Sequence, residues 1–250
     1  MTTFADKTSQ PASLAATASL DEYTFIVNPN SRSGLGRRMW YRVEPVLKER
    51  KVRYQVYFTK YRQHAAKIVR KLTADQKHHT IIVLGGDGTI NEVLGGIRSL
   101  SLVTLGYIPT GSSNDFARSL ELPTDPLLAL DNLLSPSRYL SINIGILNYD
   151  GKTRRFAVSS GMGFDAGICH EAMVSPMKTF LNLLHLGKLT YVGIALRQLL
   201  TLTPGEITVT LEDSRKLHFK KAYFATAMNL PYEGGGFRFC PNADCQDGLL

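Results

Sequence analysis

The chain has 250 residues, a mass of 27.7 kDa and a formal net charge of +8. This length allows one large domain or two modest ones, and a content of 44% hydrophobic and 20% charged residues excludes a disordered or fibrous protein. Three cysteines are too few and too oddly numbered for a disulfide framework, so we expect a reducing, cytoplasmic location.

Residues 1–20 contain no apolar stretch of signal-peptide length, and we predict a mobile tail there. From Tyr23 onward, apolar runs alternate with helix-like stretches. The predicted strands are YTFIVNPN, VRYQVYFT, TIIVLGG and LVTLGYIP, and the predicted helices cover about 36–50, 63–72, a stretch from about 89, and 113–120. This alternation predicts a doubly wound α/β domain over residues 21–140, with a mostly parallel sheet and helices on both faces.

The pattern changes to strands and turns after about residue 140. The β-rich runs are SINIGILNY, RRFAVSSGMG, EITVTLED and LHFKKAYFATAMN, and Asp150-Gly151 between two of them is a hairpin signal. We therefore predict a mostly antiparallel β domain over residues 141–250. An apolar stretch at 177–202 is interrupted by charged residues, and its leucines recur at helical spacings, which favours a core-facing helix over a membrane span.

Positive charge is concentrated in one part of the chain. Residues 32–71 contain 13 Lys and Arg against Glu44 and Glu49, a local net charge of +11, so the rest of the chain sums to −3. Solvated helix faces explain most of this charge. Anionic lipid headgroups or phosphate are alternative partners, and nucleic acid is not expected because no recognition motif accompanies the patch.

A glycine-rich turn with an acidic residue inside it lies between a predicted strand and helix. Gly85, Gly86 and Gly88 would let backbone N–H groups approach an anion closely, as in a phosphate site. Asp87 would repel phosphate unless a cation such as Mg²⁺ lies between them. We therefore expect Asp87 to serve Mg²⁺ rather than packing. The turn has neither the Walker A ending nor the dinucleotide-binding glycine spacing.

A second polar cluster, IPTGSSNDFAR, also follows a predicted strand. In a doubly wound sheet, loops at the carboxyl ends of the strands converge on one crevice. We therefore expect residues 28–32, 59, 85–91 and 111–115 to meet there. One of Ser113 and Asn114 is also a natural helix cap.

Four segments in this order resemble the diacylglycerol kinase catalytic-domain family of bacterial lipid kinases: FIVNPNSRSG, VLGGDGTINEVLGG, IPTGSSNDFAR and NLPYEGGGFRFCPNADCQDGLL. The similarity covers about residues 22–250. The GGDGT turn alone is shared with NAD kinases, whereas the following Asn91-Glu92 and the SSNDFAR segment favour lipid kinases, including the related sphingosine kinases.

The resemblance implies a nucleotide bound between the α/β domain and a C-terminal β-sandwich domain. Asp87 and Asp115 would be catalytic, orienting Mg²⁺ and the phosphates. The implied ATP-binding residues are Asn28, Pro29, Asn30, Ser31, Arg32, Thr59, Gly85, Gly86, Asp87, Gly88, Thr89, Ile90, Asn91, Ser112 and Asn114. The family usually has Thr at the position of Ser112, and the hydroxyl is retained.

The resemblance also implies a structural Mg²⁺ site formed by Asp244, Asp247 and the carbonyl of Leu249, although an ordinary acidic turn explains the same residues. Asn143 stands where relatives commonly carry Asp. Because Asn lacks the negative charge of Asp, this difference would weaken metal binding. The family's general base belongs to a later C-terminal strand, expected beyond Leu250.

We therefore expect an ATP- and Mg²⁺-dependent lipid kinase that meets the membrane surface peripherally and phosphorylates a lipid hydroxyl, with diacylglycerol as the first acceptor to consider. A homodimer is left open. The alternatives are a non-catalytic nucleotide- or lipid-binding homologue and an NAD kinase-like phosphotransferase.

Overall fold

The structure, a computed structural model, describes residues 22–163 and 203–250. The predicted tail at 1–20 and the predicted helix at 177–202 lie outside these residues. The first part contains β1 (Tyr23–Val27), α1 (Ser31–Glu49), β2 (Tyr54–Phe58), α2 (His64–Leu72), β3 (His79–Gly85), α3 (Asp87–Gly96), β4 (Val103–Pro109), α4 (Asp115–Ser119) and α5 (Pro126–Leu134), with short 3-10 turns at Thr73–Asp75 and Leu100–Leu102.

The first four strands form one parallel sheet in the order β2-β1-β3-β4. Phe25 in the central strand β1 is level with Val56 of β2 and Ile82 of β3. The chain runs from β1 outward to β2 and then crosses back to β3 on the other side of β1. The connections therefore diverge between β1 and β3, and the carboxyl ends of these two strands border the crevice where doubly wound sheets bind ligands.

Helices cover both faces of this sheet, as the sequence predicts. Successive strand residues point to opposite faces, so Ile81 and Val83 pack with α2 and α3, whereas Ile82 and Leu84 pack with α1 and α5. All four side chains are fully buried. The doubly wound prediction is confirmed.

Helix α1 begins with a left-handed turn rather than with regular helix. Arg32, Ser33 and Gly34 have φ angles of 41°, 54° and 87°, so helical geometry starts only after Gly34. The predicted start at about residue 36 agrees with this. The turn leaves Asn28 to Ser31 at the carboxyl end of β1 as a compact loop beneath the helix.

Helix α5 was not predicted, although its start carries clear signals. The Asp125 side chain accepts hydrogen bonds from the backbone N–H groups of Leu127 and Leu128, and Pro126 occupies the first helical position. Both are standard helix-start features. The helix buries Ala129 and Leu130 against the sheet and completes the face that α1 covers.

The second part of the chain contains antiparallel pairs, as predicted. Its strands are β5 (Gly145–Tyr149), β6 (Lys152–Phe156), β7 (Ser159–Gly163), β8 (Gly205–Thr210), β9 (Lys216–Ala222) and β10 (Phe224–Met228), paired β5–β6, β7–β10 and β8–β9. Asp150 and Gly151 have positive φ angles of 47° and 67°, which confirms the predicted tight hairpin. The run RRFAVSSGMG forms two strands, β6 and β7, instead of one.

Among the described residues, no helix combines the length and apolar character needed to cross a membrane.

We predict that Leu130→Ala lowers the free energy of unfolding by about 2–5 kcal/mol, because Leu130 is fully buried between α5 and the sheet. Leu128→Ala is the matched control on the same helix. Its side chain is 59% exposed, and the expected change is within about 0.5 kcal/mol. Denaturant titration followed by circular dichroism measures both. Equal losses would contradict the orientation of α5.

Candidate functional site

Three loops meet at the carboxyl edge of the parallel sheet, after β1, β3 and β4. The Asn28 side-chain amide donates to Thr89 Oγ1 at 3.2 Å, which joins the first loop to the start of α3. The hydroxyls of Ser31 and Thr110 lie 2.7 Å apart and join the first loop to the third. The predicted convergence of these loops is present.

Two glycines allow the second and third loops to touch. A Cβ at Gly86 would lie 2.9 Å from the Gly111 Cα, and a Cβ at Gly111 would lie 2.6 Å from the Gly86 Cα. Neither distance is one that real Cβ atoms adopt. Gly88, by contrast, is exposed and has open space around it. The glycines of the turn therefore serve two purposes, loop contact at Gly86 and open backbone at Gly88.

The Asp87 carboxylate holds the beginning of α4. Its Oδ2 accepts the Asp115 N–H and its Oδ1 accepts the Phe116 N–H, both at 3.1 Å. Burial raises the pKa of the Asp87 carboxyl and the Asp115 charge adds to this, while the donated backbone N–H groups act in the opposite direction. The expectation that Asp87 has no packing role is wrong, because this carboxylate caps a helix from another loop.

Asp115 connects the α/β domain to the C-terminal part of the chain. Its side chain is 5% exposed, and its Oδ2 accepts the Gly235 N–H at 2.9 Å. Gly235 lies at the tip of a turn closed by two backbone hydrogen bonds between Glu233 and Phe237. Asp115 Oδ1 is buried and has no hydrogen-bond partner among the residues that the structure describes.

The remaining residues predicted to bind ATP divide into three groups. Some are engaged in the loop structure: Asn114 exchanges two hydrogen bonds with Gly111, and the Asn91 side-chain oxygen accepts the Ala157 N–H at 3.2 Å. Others are buried by packing, namely Pro29, Thr59 and Ile90. Asn30, Arg32, Gly88 and Ser112 are exposed near the crevice. Ligand binding by any of them stays a prediction.

Sequence reasoning missed Tyr107, Thr110 and Gly235. The Tyr107 hydroxyl lies 3.1 Å from the Gly85 carbonyl oxygen and 3.3 Å from Asn114 Oδ1, between the second and third loops. Burial raises the pKa of Tyr107, helped by the negative charges of Asp87 and Asp115, so the hydroxyl remains a donor. Thr110 directly precedes Gly111, which was predicted to lie at the site, and this neighbouring position is the sequence feature that could have identified Thr110.

The predicted structural metal residues form consecutive acidic turns. Asp244 Oδ1 accepts the Gln246 N–H at 2.9 Å, and Asp247 Oδ1 accepts the Leu249 N–H at 2.8 Å. Asn143 lies beside them, since its N–H donates to the Cys245 carbonyl oxygen at 2.6 Å. Within residues 22–163 and 203–250, no group of three or more His, Cys, Asp or Glu side chains is arranged to hold a metal. A site made of two carboxylates and a carbonyl stays a prediction.

We predict that Gly111→Ala lowers the free energy of unfolding by roughly 1–3 kcal/mol, because the new methyl group would collide with the Gly86 backbone. Gly88→Ala, in the partner loop, meets open space and should leave stability unchanged within about 0.5 kcal/mol. Denaturant titration compares the two. Similar stabilities would show that the loops do not need this contact.

We also predict that Asp87→Ala lowers the free energy of unfolding by roughly 1–3 kcal/mol, because the backbone N–H groups of Asp115 and Phe116 lose their acceptor. Glu212→Ala, which removes an exposed carboxylate between β8 and β9, is the control. Thermal unfolding of both variants measures the difference, and an Asp87→Ala protein as stable as the control would contradict the capping role.

Comparison with known proteins gives two domain matches. Residues 22–142 match the diacylglycerol kinase catalytic domain, and residues 161–250 match the YegS C-terminal NAD kinase beta sandwich-like domain.

Similar curated proteins are bacterial lipid kinases by name. The putative lipid kinase YtlR of Bacillus subtilis (strain 168) is 28% identical over 90% of this chain and 74% of its own length. A diacylglycerol kinase of the same strain is 32% identical over 75% of this chain and 57% of its own length. The probable lipid kinase YegS-like of Cronobacter sakazakii (strain ATCC BAA-894) is 34% identical over 71% of this chain and 56% of its own length. The chain thus spans little more than half of two of these relatives.

A solved structure shares the fold. The putative diacylglycerol kinase from Bacillus anthracis str. Sterne superposes with a TM-score of 0.66 at 25% sequence identity, over 91% of this chain and 73% of that one. The parallel sheet, the antiparallel strands that follow it and the two domain matches agree, and the chain belongs to the diacylglycerol kinase catalytic-domain family.

Proposed function

We propose that this protein is an ATP- and Mg²⁺-dependent lipid kinase that transfers the γ-phosphate of ATP to a lipid hydroxyl, with diacylglycerol, giving phosphatidic acid, as the leading acceptor. The observation that carries this proposal is the pair of acidic side chains, Asp87 and Asp115, at the meeting point of the loops. One oxygen of this pair, Asp115 Oδ1, is buried without a hydrogen-bond partner among the described residues.

The glycine loop supplies the phosphate-binding part of the proposed site. It opens a ten-residue helix, α3, whose first N–H groups and positive dipole end point toward the crevice. Gly88 leaves the backbone open there. Asn28, which orients Thr89 through its side-chain amide, would fix the loop while a phosphate binds.

The two carboxylates fit a divalent cation. A buried carboxylate oxygen without a donor is costly, by roughly 1–3 kcal/mol or more, and Asp115 Oδ1 is such an atom. The two oxygens of Asp87 accept one N–H each and retain further lone pairs. Bound Mg²⁺ would neutralise charge between these carboxylates and the phosphates. The role of Asp87 and Asp115 is then to hold negative charge at fixed positions, and their backbone bonds supply that rigidity.

The positive charge of residues 32–71 favours binding of the protein to an anionic membrane surface. Three of its 13 cationic side chains form ion pairs with carboxylates, namely Arg42 with Asp125, Lys48 with Glu44 and Arg50 with Asp131. Within the described ranges, the other ten have no carboxylate partner. Free cationic side chains attract anionic headgroups, each contributing about 1 kcal/mol close to the surface, so we infer peripheral membrane contact.

The direct test is transfer of labelled phosphate from ATP to mixed-lipid vesicles by the full-length protein with Mg²⁺. Vesicles containing diacylglycerol should yield labelled phosphatidic acid. Parallel assays with phosphatidylglycerol, a sphingoid base, a polyprenol or NAD as acceptor separate the related activities. Nucleotide binding without labelling of any acceptor would instead support the non-catalytic homologue, and labelled NADP alone would support the NAD kinase-like activity.

We predict that Asp115→Asn lowers the rate of phosphate transfer on the order of 10²–10³-fold, because it removes charge from the site. An Asn oxygen can still accept the Gly235 N–H, so the melting temperature should fall little. Asp213→Asn, at an exposed turn, is the control and should keep the full rate. Wild-type transfer by the Asp115→Asn protein would refute the assigned role.

A further inference from the structure

A second candidate site lies at the opposite end of α3 from the glycine loop. It is a shallow cleft of about 280 Å³, lined by Arg70, Gly95, Gly96, Ile97, Arg98, Thr153 and Arg155. Arg70 belongs to the last turn of α2, Arg98 follows α3, and Arg155 belongs to β6. Since α3 has ten residues, the cleft is about 15 Å from the glycine loop.

The arginines are brought together by close helix packing. A Cβ at Gly96 would lie 2.5 Å from the Ala66 carbonyl oxygen, so α3 approaches the α2 backbone as only glycine permits. At Gly95 a Cβ would meet nothing within 4 Å, and this side of the helix end opens into the cleft. The Gly96–Ala66 contact places the end of α3 against the first turn of α2, and the hydrogen bond from Arg98 Nε to the Arg70 carbonyl oxygen places Arg98 beside the last turn of α2. Arg70 and Arg98 therefore both line the cleft.

The three arginines of the cleft carry more positive charge than the negative carboxyl ends of α2 and α3 can neutralise. One nitrogen of Arg155 donates to the carbonyl oxygens of Leu94 and Ile97 at 3.0 and 2.6 Å, and Arg98 Nε donates to the Arg70 carbonyl oxygen at 3.2 Å. Each helix end carries roughly half a negative charge. Three guanidinium groups against two helix ends leave a surplus of roughly two positive charges.

Acidic side chains on the same elements do not supply the missing counter-charge. Asp75 is paired with His79 at 2.8 Å. Both carboxylate oxygens of Glu92 accept hydrogen bonds from backbone N–H groups at the beginning of α2, away from the cleft. Asp150 lies at the tip of the β5–β6 hairpin, several residues along the strand from Arg155. Among the described residues, Arg70, Arg98 and Arg155 form no ion pair with a carboxylate.

We propose that this arginine cleft binds a phosphate-bearing anion. Guanidinium groups match the planar, paired geometry of phosphate oxygens, and the roughly two uncompensated charges match the charge of a phosphate monoester. The volume is at the lower limit for ligand sites, so the cleft accommodates a phosphate or a glycerophosphate headgroup rather than a nucleotide. The anion could be free in solution or part of a membrane lipid, and the two sources can be distinguished.

The experiment compares three forms of the full-length protein: wild type, Arg70→Gln/Arg98→Gln, and the charge-matched control Lys216→Gln/Lys220→Gln on the exposed strand β9. Arg155 is left intact because it caps α3. Calorimetric titration with glycerol 3-phosphate measures binding of a free anion. Cosedimentation with phosphatidylcholine vesicles, with and without phosphatidylglycerol, measures binding of a lipid headgroup. Both readouts are independent of kinase activity.

We expect the arginine variant to bind one of these probes roughly tenfold or more weakly than wild type, with the control close to wild type. If the arginine variant loses affinity only for glycerol 3-phosphate, the ligand of the cleft is a soluble anion. If it loses affinity only for vesicles that contain phosphatidylglycerol, the ligand is a lipid headgroup. Binding that persists in every form belongs elsewhere, such as the glycine loop. Equal affinities of all three forms for both probes would overturn the proposal.

The single variant Arg70→Gln guards against loss of structure in the double variant. No hydrogen bond of the Arg70 side chain is present in the described structure, whereas Arg98 bonds to the end of α2. A folded Arg70→Gln protein with weakened binding to the same probe supports the cleft. Unchanged binding by a folded Arg70→Gln protein overturns the part assigned to Arg70 and, with it, the three-arginine site.

Discussion

The candidate site depends on a series of hydrogen bonds that begins at Asp87 and ends at Gly235. Asp87 holds the first N–H groups of α4, and Asp115 at the start of that helix holds the Gly235 N–H from the C-terminal part of the chain. Carboxylates are expensive to bury unless their oxygens are hydrogen-bonded, so each carboxylate requires the next segment to be in place. The acidic side chains are thus positioned jointly by the α/β domain and the C-terminal turn that contains Gly235.

This arrangement explains why the site has both charge and rigidity. The donors to Asp87 and Asp115 are backbone N–H groups, which move less than side chains because they belong to a helix start and a closed turn. Of the two oxygens of Asp115, Oδ2 accepts the Gly235 N–H, whereas Oδ1 is buried without a donor among the described residues. In a site built for phosphate transfer, such an oxygen is where a cation contributes most, because charge interactions strengthen in buried surroundings.

Much of the fold could be predicted because it follows from local patterns. The buried runs around Ile82 and Leu84, the turn at Gly86 and the hairpin at Asp150 each carry a signal within a few residues. The grouping of Asn28, Gly85 and Gly111 also followed, since parallel strands bring their carboxyl ends together. Helix α5 was not predicted, although Asp125 and Pro126 are standard helix-start residues.

The contacts between distant segments could not be predicted in the same way. Asp115 and Gly235 are 120 positions apart, and no periodicity relates them. The capping of α4 by Asp87 depends on the distance between two loops, which the touching backbones of Gly86 and Gly111 set. The metal-binding role predicted for Asp87 from its place in a glycine turn therefore stays a prediction, whereas its structural role at α4 is visible only in the tertiary packing.

Helix α3 has a mechanical consequence for the whole domain. Its first residue is Asp87, Asn91 in its middle bonds to Ala157, and its last carbonyl groups are held by Arg155. A ten-residue helix is nearly incompressible along its axis. Any displacement of the β5–β6 hairpin must therefore break these bonds or be transmitted over about 15 Å to the glycine loop, which makes α3 a rigid rod between the two anion-binding ends proposed for this protein.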